Sequence, residues 1–345
     1  MRTENRRACI IGCGAISRAH ADALKALPSV ELVAAADIRP ERAKAFAVRY
    51  GCRAYEDWRK MLSEQKPDAV HICTPHFLHA PMAVYALQHG VPVLIEKPVA
   101  LSPEEARGII AARDSSHRYA GTVFQNRLND STQAAKEAAD SGKYGRILGV
   151  KGIVTWHRDR DYYQNSGWRG KFSTEGGGVL MNQSIHTLDL LRYFAGEVDS
   201  LCAFTANWSH AGVIEVEDTA AADLKFQSGA RGIFYATTAN ATDSPAEVEI
   251  TLEKAVIVLR GSKATLRLGS EERDLCAPGG TQSPYKLCWG QSHGRLIERF
   301  YDVLAGSLAP EKGIVALEEG VAALEIISAI YRSSHSGKPE KVRHS

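Results

Sequence analysis

The stretch Ala8-Cys9-Ile10-Ile11-Gly12-Cys13-Gly14-Ala15-Ile16-Ser17 runs from a short apolar strand through two glycines into the start of a helix. That order decides the fold of the first third of the chain. Gly12 permits a tight turn, and Gly14 lets a ligand come close to the backbone. The amides opening the helix at Ala15 and Ile16 offer donors and a positive dipole end to a phosphate. Ser17 stands at the third motif position, where Gly or Ala is usual, and is expected to weaken close helix–strand packing. A lone turn of this kind is a weak signal, so its weight depends on what lies outward from it.

Outward, β-like runs at 8–11, 30–36, 69–73, 91–95 and 119–124 alternate with helical stretches at 15–27, 40–50, 77–89 and 102–115. Ser102-Pro103-Glu104-Glu105 predicts a capped helix start, with Ser102 as cap, Pro103 at the first helical position and Glu105 closing a capping box. The alternation predicts a Rossmann domain, a doubly wound parallel sheet covered by helices. Asp37 ends the second strand, 23 residues after Gly14, and Ile38 and Arg39 follow it. A carboxylate there accepts hydrogen bonds from ribose hydroxyls and repels a 2′-phosphate, which favours NAD over NADP. The alternative reading of Asp37 is a cap on the helix beginning at Pro40. Cys73-Thr74-Pro75 and Glu96-Lys97-Pro98 each end a strand at its carboxyl edge, where open α/β sheets bind ligands. His76 and His79 have a spacing a metal can use. No third ligand stands near in sequence, and no metal is expected.

After about Gln125 the rhythm changes. A helix near 131–140, a long strand at 147–155 and a run of alternating strands from 201 to 268 precede helices near 294–304 and 317–334. This predicts an α+β domain on an open-faced, mostly antiparallel sheet. The expected division is 1–123 for the dinucleotide-binding domain and 124–345 for a substrate-binding and oligomerisation domain. An open sheet face needs cover, so a homodimer or homotetramer is expected. With 345 residues the chain suits two domains, and a net charge of +2 points to neither nucleic acid nor an anionic membrane. No apolar stretch reaches membrane-spanning length, and the run at 8–11 is too short for a signal-peptide core. Seven cysteines (Cys9, Cys13, Cys52, Cys73, Cys202, Cys276 and Cys288) form no Cys-x-x-Cys, so free thiols in a reducing cytoplasm are expected.

Oxidising a secondary alcohol needs a hydride acceptor and a group that takes the hydroxyl proton. Lys97 can bond the reacting oxygen and stabilise its developing charge. Further on, Gly176-Gly177-Gly178 suggests a backbone that approaches a ligand, and the helix after it carries Asn182, His186, Asp189 and Tyr193 on one polar stripe. Ile185, Leu188 and Leu191 lie on another face, suited to packing on the sheet. His186, with an ordinary pKa near neutrality, is the natural proton-transfer partner of Lys97. The alternative is a core histidine satisfied by Asp189. The loop from Trp156 to Tyr163, continued by Trp168-Arg169, mixes aromatic faces with charged donors as sugar sites do. A surface loop anchored by its rings would look the same. Arg158, Tyr163 and Trp168 are the residues expected to touch substrate, with Lys97, Asn182, Gln183 and His186.

The ordered set of Gly12–Ser17, Asp37, Cys73-Thr74-Pro75 with His79, Glu96-Lys97-Pro98, Gly176-Gly177-Gly178-Val179-Leu180-Met181-Asn182-Gln183-Ser184-Ile185-His186 and Val216-Glu217-Asp218-Thr219 resembles the Gfo/Idh/MocA oxidoreductases over essentially the whole chain. The resemblance implies that Lys97 is catalytic, that its bond to Pro98 is often cis, and that the substrate is a sugar, sugar derivative or cyclitol. It implies cofactor contacts at Gly12, Gly14, Ala15, Ile16, Asp37, Ile38, Arg39, Cys73, Thr74, Pro75, His76, His79, Glu96, Lys97, Pro98 and Gln125. The family often has Asp where this chain has Asn182, which can orient a hydroxyl but cannot act as a base. A redox glycosidase that oxidises transiently and then eliminates would keep the same site. A non-catalytic dinucleotide sensor is a third reading, opposed by retention of Lys97 and His186.

Overall fold

The computed structural model describes residues 5–276 and 292–344; residues 1–4 and Cys288 lie outside the described part. The chain forms two compact units, residues 1–123 with 292–321, and residues 124–291 with 322–345.

The first unit holds a six-stranded parallel sheet in the order β3-β2-β1-β4-β5-β6. Its strands are β1 (Arg6–Ile11), β2 (Val30–Ala36), β3 (Arg53–Tyr55), β4 (Ala69–Ile72), β5 (Val93–Ile95) and β6 (Ala120–Thr122). Helices α1 (Ser17–Ala26), α2 (Pro40–Tyr50), α3 (Trp58–Gln65), α4 (His79–Gln88) and α5 (Pro103–Ser116) connect them. Apart from β3, these strands are apolar along most of their length because helices cover both faces. Sequence periodicity missed β3 and α3, since β3 is a short, partly exposed edge whose residues alternate no hydrophobic side. Asp57 caps α3 by accepting from the amide of Arg59. The Ser102 cap forms, accepting from the Glu105 amide at 3.2 Å, while the Glu105 carboxylate closes onto the amide of Leu101 at 3.1 Å.

The second unit is built on a nine-stranded sheet in the order β14-β13-β12-β11-β7-β10-β9-β8-β15. These are β7 (Ile147–Thr155), β8 (Val198–Ala206), β9 (Thr219–Phe226), β10 (Arg231–Thr237), β11 (Glu247–Leu252), β12 (Val256–Arg260), β13 (Lys263–Leu268), β14 (Glu271–Asp274) and β15 (Glu340–Lys341). All pairs are antiparallel except β7 with β10. Helix α6 (Asp130–Asp140) and short helices α7 (Arg160–Gln164) and α8 (Phe172–Glu175) precede α9 (Ile185–Ala195), which packs on the sheet. A Cβ at Gly152 of β7 would stand 2.8 Å from Thr187 and 3.1 Å from Leu191, so glycine allows this close approach. The opposite face exposes Phe204 and Ile233, with Trp208 beside Phe204.

Two late helices, α10 (His293–Ala305) and α11 (Leu317–Ser336), complete the chain. The expected second domain spans 124–345; α10 and the start of α11 fall with the first unit instead, whereas residues 322–345 stay with the second. Leu296, Ile297, Phe300 and Tyr301 of α10 are buried, and the helix packs on α1 of the first unit. Sequence distance hid this return, because an amphipathic helix does not record which sheet its apolar stripe will meet.

Candidate active site

Gly12 has φ of +95°, and a Cβ there would lie 2.6 Å from the carbonyl oxygen of Cys73. Only glycine fits between β1 and the end of β4. At Gly14 a Cβ would meet nothing within 4 Å, so the turn is open above. Helix α1 has Ile16 at its N-cap position and no side-chain cap, leaving its first amides available to an anion. Ser17 does not loosen the packing: it is fully buried and its hydroxyl donates to the carbonyl of Gly14 at 2.7 Å. Asp37 accepts from the amides of Cys13 and Arg39, both at 2.9 Å, which fixes the carboxylate at the end of β2. Beside it the apolar Ile38 side chain is 79% exposed. Open turn, uncapped helix start and fixed carboxylate fit a dinucleotide, for which Gly12 to Ile16 would hold the pyrophosphate and Asp37 a ribose.

Cys73 is buried, and its thiol is pushed well above its ordinary pKa by burial. His79 reaches the carbonyl of Pro98 at 2.7 Å and that of Thr74 at 2.9 Å, tying the ends of β4 and β5 together. It is therefore committed to the scaffold, and the His76 ring lies beside it, tilted by 51° with 5.8 Å between centroids. The Lys97-Pro98 peptide is cis. Gln125 is buried and falls in the second unit.

Glu96 heads a buried polar network that sequence reasoning missed. His20 Nε2 lies 2.8 Å from Glu96 Oε1, His20 Nδ1 2.8 Å from His71 Nδ1, and His71 Nε2 3.1 Å from the Tyr301 hydroxyl. With both histidines neutral, one assignment satisfies every contact: Tyr301 donates to His71, His71 to His20, and His20 to the carboxylate. His293 Nε2 stands 3.6 Å from the same oxygen. Burial alone would raise the Glu96 pKa, but hydrogen bonds from His20 and His293 hold it well below the ordinary value. Burial also lowers both His20 and His71. His20, Glu96 and His293 place three possible ligand atoms within 4.8 Å of one another, the closest approach to a metal-binding set among the described residues. In the structure both ring nitrogens of His20 are already paired, one with Glu96 and one with His71. The signal was readable only as the identity of residues on α1, β4 and α10; their meeting depends on the packing of α10.

In the second unit the glycine loop has a different cause from the one expected. A Cβ at Gly178 would overlap the carbonyl oxygen of Glu217, and one at Gly177 would press on Tyr331. The crowding therefore comes from this chain. The buried Glu217 carboxylate accepts from the amides of Gly178 at 3.0 Å and Leu180 at 2.9 Å, and from the Tyr331 hydroxyl at 2.6 Å.

The loop delivers Asn182 and Gln183 to Tyr162, whose hydroxyl accepts from them at 3.3 and 3.1 Å. Asn182 also donates to Glu175 at 2.6 Å. His186 is buried with its ring edge-on to Phe124. The polar stripe divides below it, because Arg127 takes both carboxylate oxygens of Asp189, at 2.8 and 2.6 Å, and lies over Tyr193. Tyr163 is corrected: it is a core side chain packed with Ile214 and Val216, its hydroxyl bonded to Thr238. The neighbouring Tyr162 meets Asn182 instead. Arg158 pairs with Asp243 at 3.0 Å, and Trp168 carries the Arg169 guanidinium 4.7 Å above its ring.

Burial pushes Glu175 up to about 7. A raised carboxyl stabilises the fold fully below its ordinary value and loses that contribution as pH rises through the folded value. Between about pH 4.5 and 7 the native state should therefore weaken through this group, and Glu175→Gln is expected to show a flatter fall in Tm from pH 5 to pH 8 than the parent. An equal fall in both proteins would rule the titration out.

Residues 6–123 match the model of an oxidoreductase family with an NAD-binding Rossmann fold, and residues 132–258 match that of the Gfo/Idh/MocA C-terminal domain. A WlbA dehydrogenase from Bordetella pertussis, solved with NADH and UDP-GlcNAcA, superposes with a TM-score of 0.86 at 30% identity, covering 99% of this chain and 100% of that one. D-glucoside 3-dehydrogenase of Escherichia coli strain K12 is 28% identical over 361 residues, 98% of this chain and 97% of its own. Levoglucosan dehydrogenase of Pseudarthrobacter phenanthrenivorans is 27% identical over 264 residues, 68% of each chain.

Proposed function

This chain belongs to the Gfo/Idh/MocA family of oxidoreductases, and from that premise we propose that it is an NAD-dependent dehydrogenase of a sugar, sugar derivative or cyclitol, with Lys97 and His186 handling the proton. The observation that carries the reading is Lys97 two residues past β5, on the carboxyl edge of the sheet that also holds Gly12, Gly14 and Asp37. Relatives named for glucosides and levoglucosan support the substrate class.

The bound nicotinamide supplies the hydride acceptor. As the carbinol C–H leaves as hydride, the hydroxyl proton must go to a base and the oxygen becomes a carbonyl. Lys97 hydrogen-bonds that oxygen and offsets its developing charge. The ionised Glu96, held by His20, adjoins Lys97 in the chain and accepts its backbone amide at 3.3 Å. His186 relays the proton, with Asn182 orienting a hydroxyl. Asp37 favours NAD by repelling a 2′-phosphate.

A panel of sugars and inositols, assayed with NAD and NADP for stoichiometric reduced cofactor, tests the reading. NADH equal to ketone formed is expected, and Asp37→Ser should shift the NADP-to-NAD ratio of kcat/KM upward by about tenfold or more. Aglycone release from glycosides without net NADH would favour the redox glycosidase, and tight NAD binding with no turnover would favour a sensor. The exposed Ile233, Phe204 and Trp208 on the open sheet support a homodimer or homotetramer, and a monomeric mass by light scattering would refute it. Among the described residues no helix is long and apolar enough to cross a membrane. The six described cysteines are free thiols, which supports a cytoplasmic setting.

A further inference from the structure

The reading of Asn182, Gln183 and His186 as a substrate wall leaves open what charge the substrate carries, and the present inference rests on that reading. We propose that Arg169 is the anion-recognising residue of this wall, and that the substrate is a carbohydrate acid whose carboxylate its guanidinium grips.

Arg169 is held in place before any ligand arrives. Its amide donates to Ser166 Oγ at 2.9 Å, the next amide, of Gly170, donates to Glu175 at 2.6 Å, and the Trp168 carbonyl accepts from Thr174 at 2.5 Å. The guanidinium lies 4.4 Å over the Tyr162 ring and 4.7 Å over the Trp168 ring. Tyr162 in turn accepts from Asn182 and Gln183, so the cation stands one ring away from the wall.

Its hydrogen bonds are the unusual part. Arg169 Nε is buried and finds no acceptor among the described residues. A buried guanidinium N–H without an acceptor carries its full desolvation penalty, and such groups mark places where a partner belongs. The described residues do not supply one. Arg158, the other cation over Tyr162, is paired with Asp243 at 3.0 Å. Glu175 is the nearby carboxyl, but its oxygens accept from Asn182 and from Gly170, and burial pushes it up to about 7. The guanidinium lies close to both rings, and its planar fork presents paired donors that match the two oxygens of a carboxylate. A phosphate has the same acceptors but carries nearly two charges at neutral pH. With one uncommitted cation and the carboxyls of Glu175 and Glu217 buried nearby, a monoanion suits the site better.

The test is kcat/KM with NAD for matched pairs: glucose with glucuronate, galactose with galacturonate, mannose with mannuronate, and the corresponding hexose 6-phosphates. An acid is expected to exceed its neutral partner by about 100-fold, mostly through KM. In Arg169→Met that acid-to-neutral ratio should collapse to near one. Arg169→Lys retains the charge and most of the side-chain volume, covering the case in which the Met variant misfolds. It should keep part of the preference and lose the bidentate share. Oxidation of neutral sugars as efficiently as acids, or a ratio unmoved by either variant, would overturn the proposal while leaving the dehydrogenase reading intact. A preference for the 6-phosphates over the acids would overturn the carboxylate assignment. Failure of every sugar to be oxidised would remove the premise and the proposal together.

Discussion

Lys97→Ala is expected to lower kcat by about 10³- to 10⁴-fold while leaving the Kd for NAD within about threefold of the parent. The asymmetry follows from what each part of the first unit touches. The dinucleotide is offered backbone amides at the start of α1 and the Asp37 carboxylate, neither of which involves the lysine side chain. In the proposed reaction Lys97 would contribute a cation and a proton donor just past the end of β5. Its truncation leaves the relay from Tyr301 through His71 and His20 to Glu96 in place, so the strand end keeps its support. Turnover by rapid mixing and NAD affinity by fluorescence titration measure the two quantities separately. If affinity fell in step with turnover, Lys97 would be part of the scaffold and the proton-transfer role would have to move elsewhere.

Gly178→Ala should produce the largest loss of stability of any one-methyl change in the second unit, about 3 kcal/mol, or roughly 10 °C in the Tm of that unit. The added methyl overlaps the Glu217 carbonyl oxygen and stands 2.9 Å from its carbon and 3.0 Å from Val216. Those are backbone and core atoms, which cannot swing aside as a flexible side-chain tip can. Moving them also breaks the Glu217 carboxylate away from the Gly178 and Leu180 amides and from Tyr331. Gly14→Ala makes the contrast, since nothing lies within 4 Å of its Cβ. It should melt within a few degrees of the parent and bind NAD about tenfold more weakly, because the methyl occupies space the ligand needs. Calorimetry on both variants decides the matter. Equal melting temperatures for the two would show that the loop at Gly178 yields freely and that Glu217 does not hold it.

Much of the first unit was legible because its signals are local. The apolar strand, glycine turn and helix start at 8–17 are contiguous, and each residue type has one physical reason to stand where it does. The Ser102 cap is read from four adjacent residues and forms as expected. Strand β3 was not legible, since three partly exposed residues have no burial pattern to betray them. The roles of Ser17, Gly178 and Tyr163 were misread for a shared reason. Each depends on what lies opposite: the Gly14 carbonyl, the Glu217 backbone, and the core around Thr238. Residue identity told that a small or polar group was wanted and could not tell which neighbour wanted it.

By itself the sequence determined the class of fold, the family resemblance, the dinucleotide cradle at Gly12–Ile16 with Asp37, and Lys97 as the residue to test. Hydrophobic periodicity and chain-local hydrogen bonding are enough for those. Only the tertiary structure decided that α10 returns to the first unit, that Tyr301, His71 and His20 line up on Glu96, and that Tyr162 rather than Tyr163 meets Asn182. It also decided that the Arg169 guanidinium lies over the Tyr162 and Trp168 rings with no acceptor among the described residues for its Nε. Most of those contacts join side chains distant in the chain, and even for the near neighbours of Arg169, whether a buried donor has found its acceptor depends on packing that local sequence does not encode.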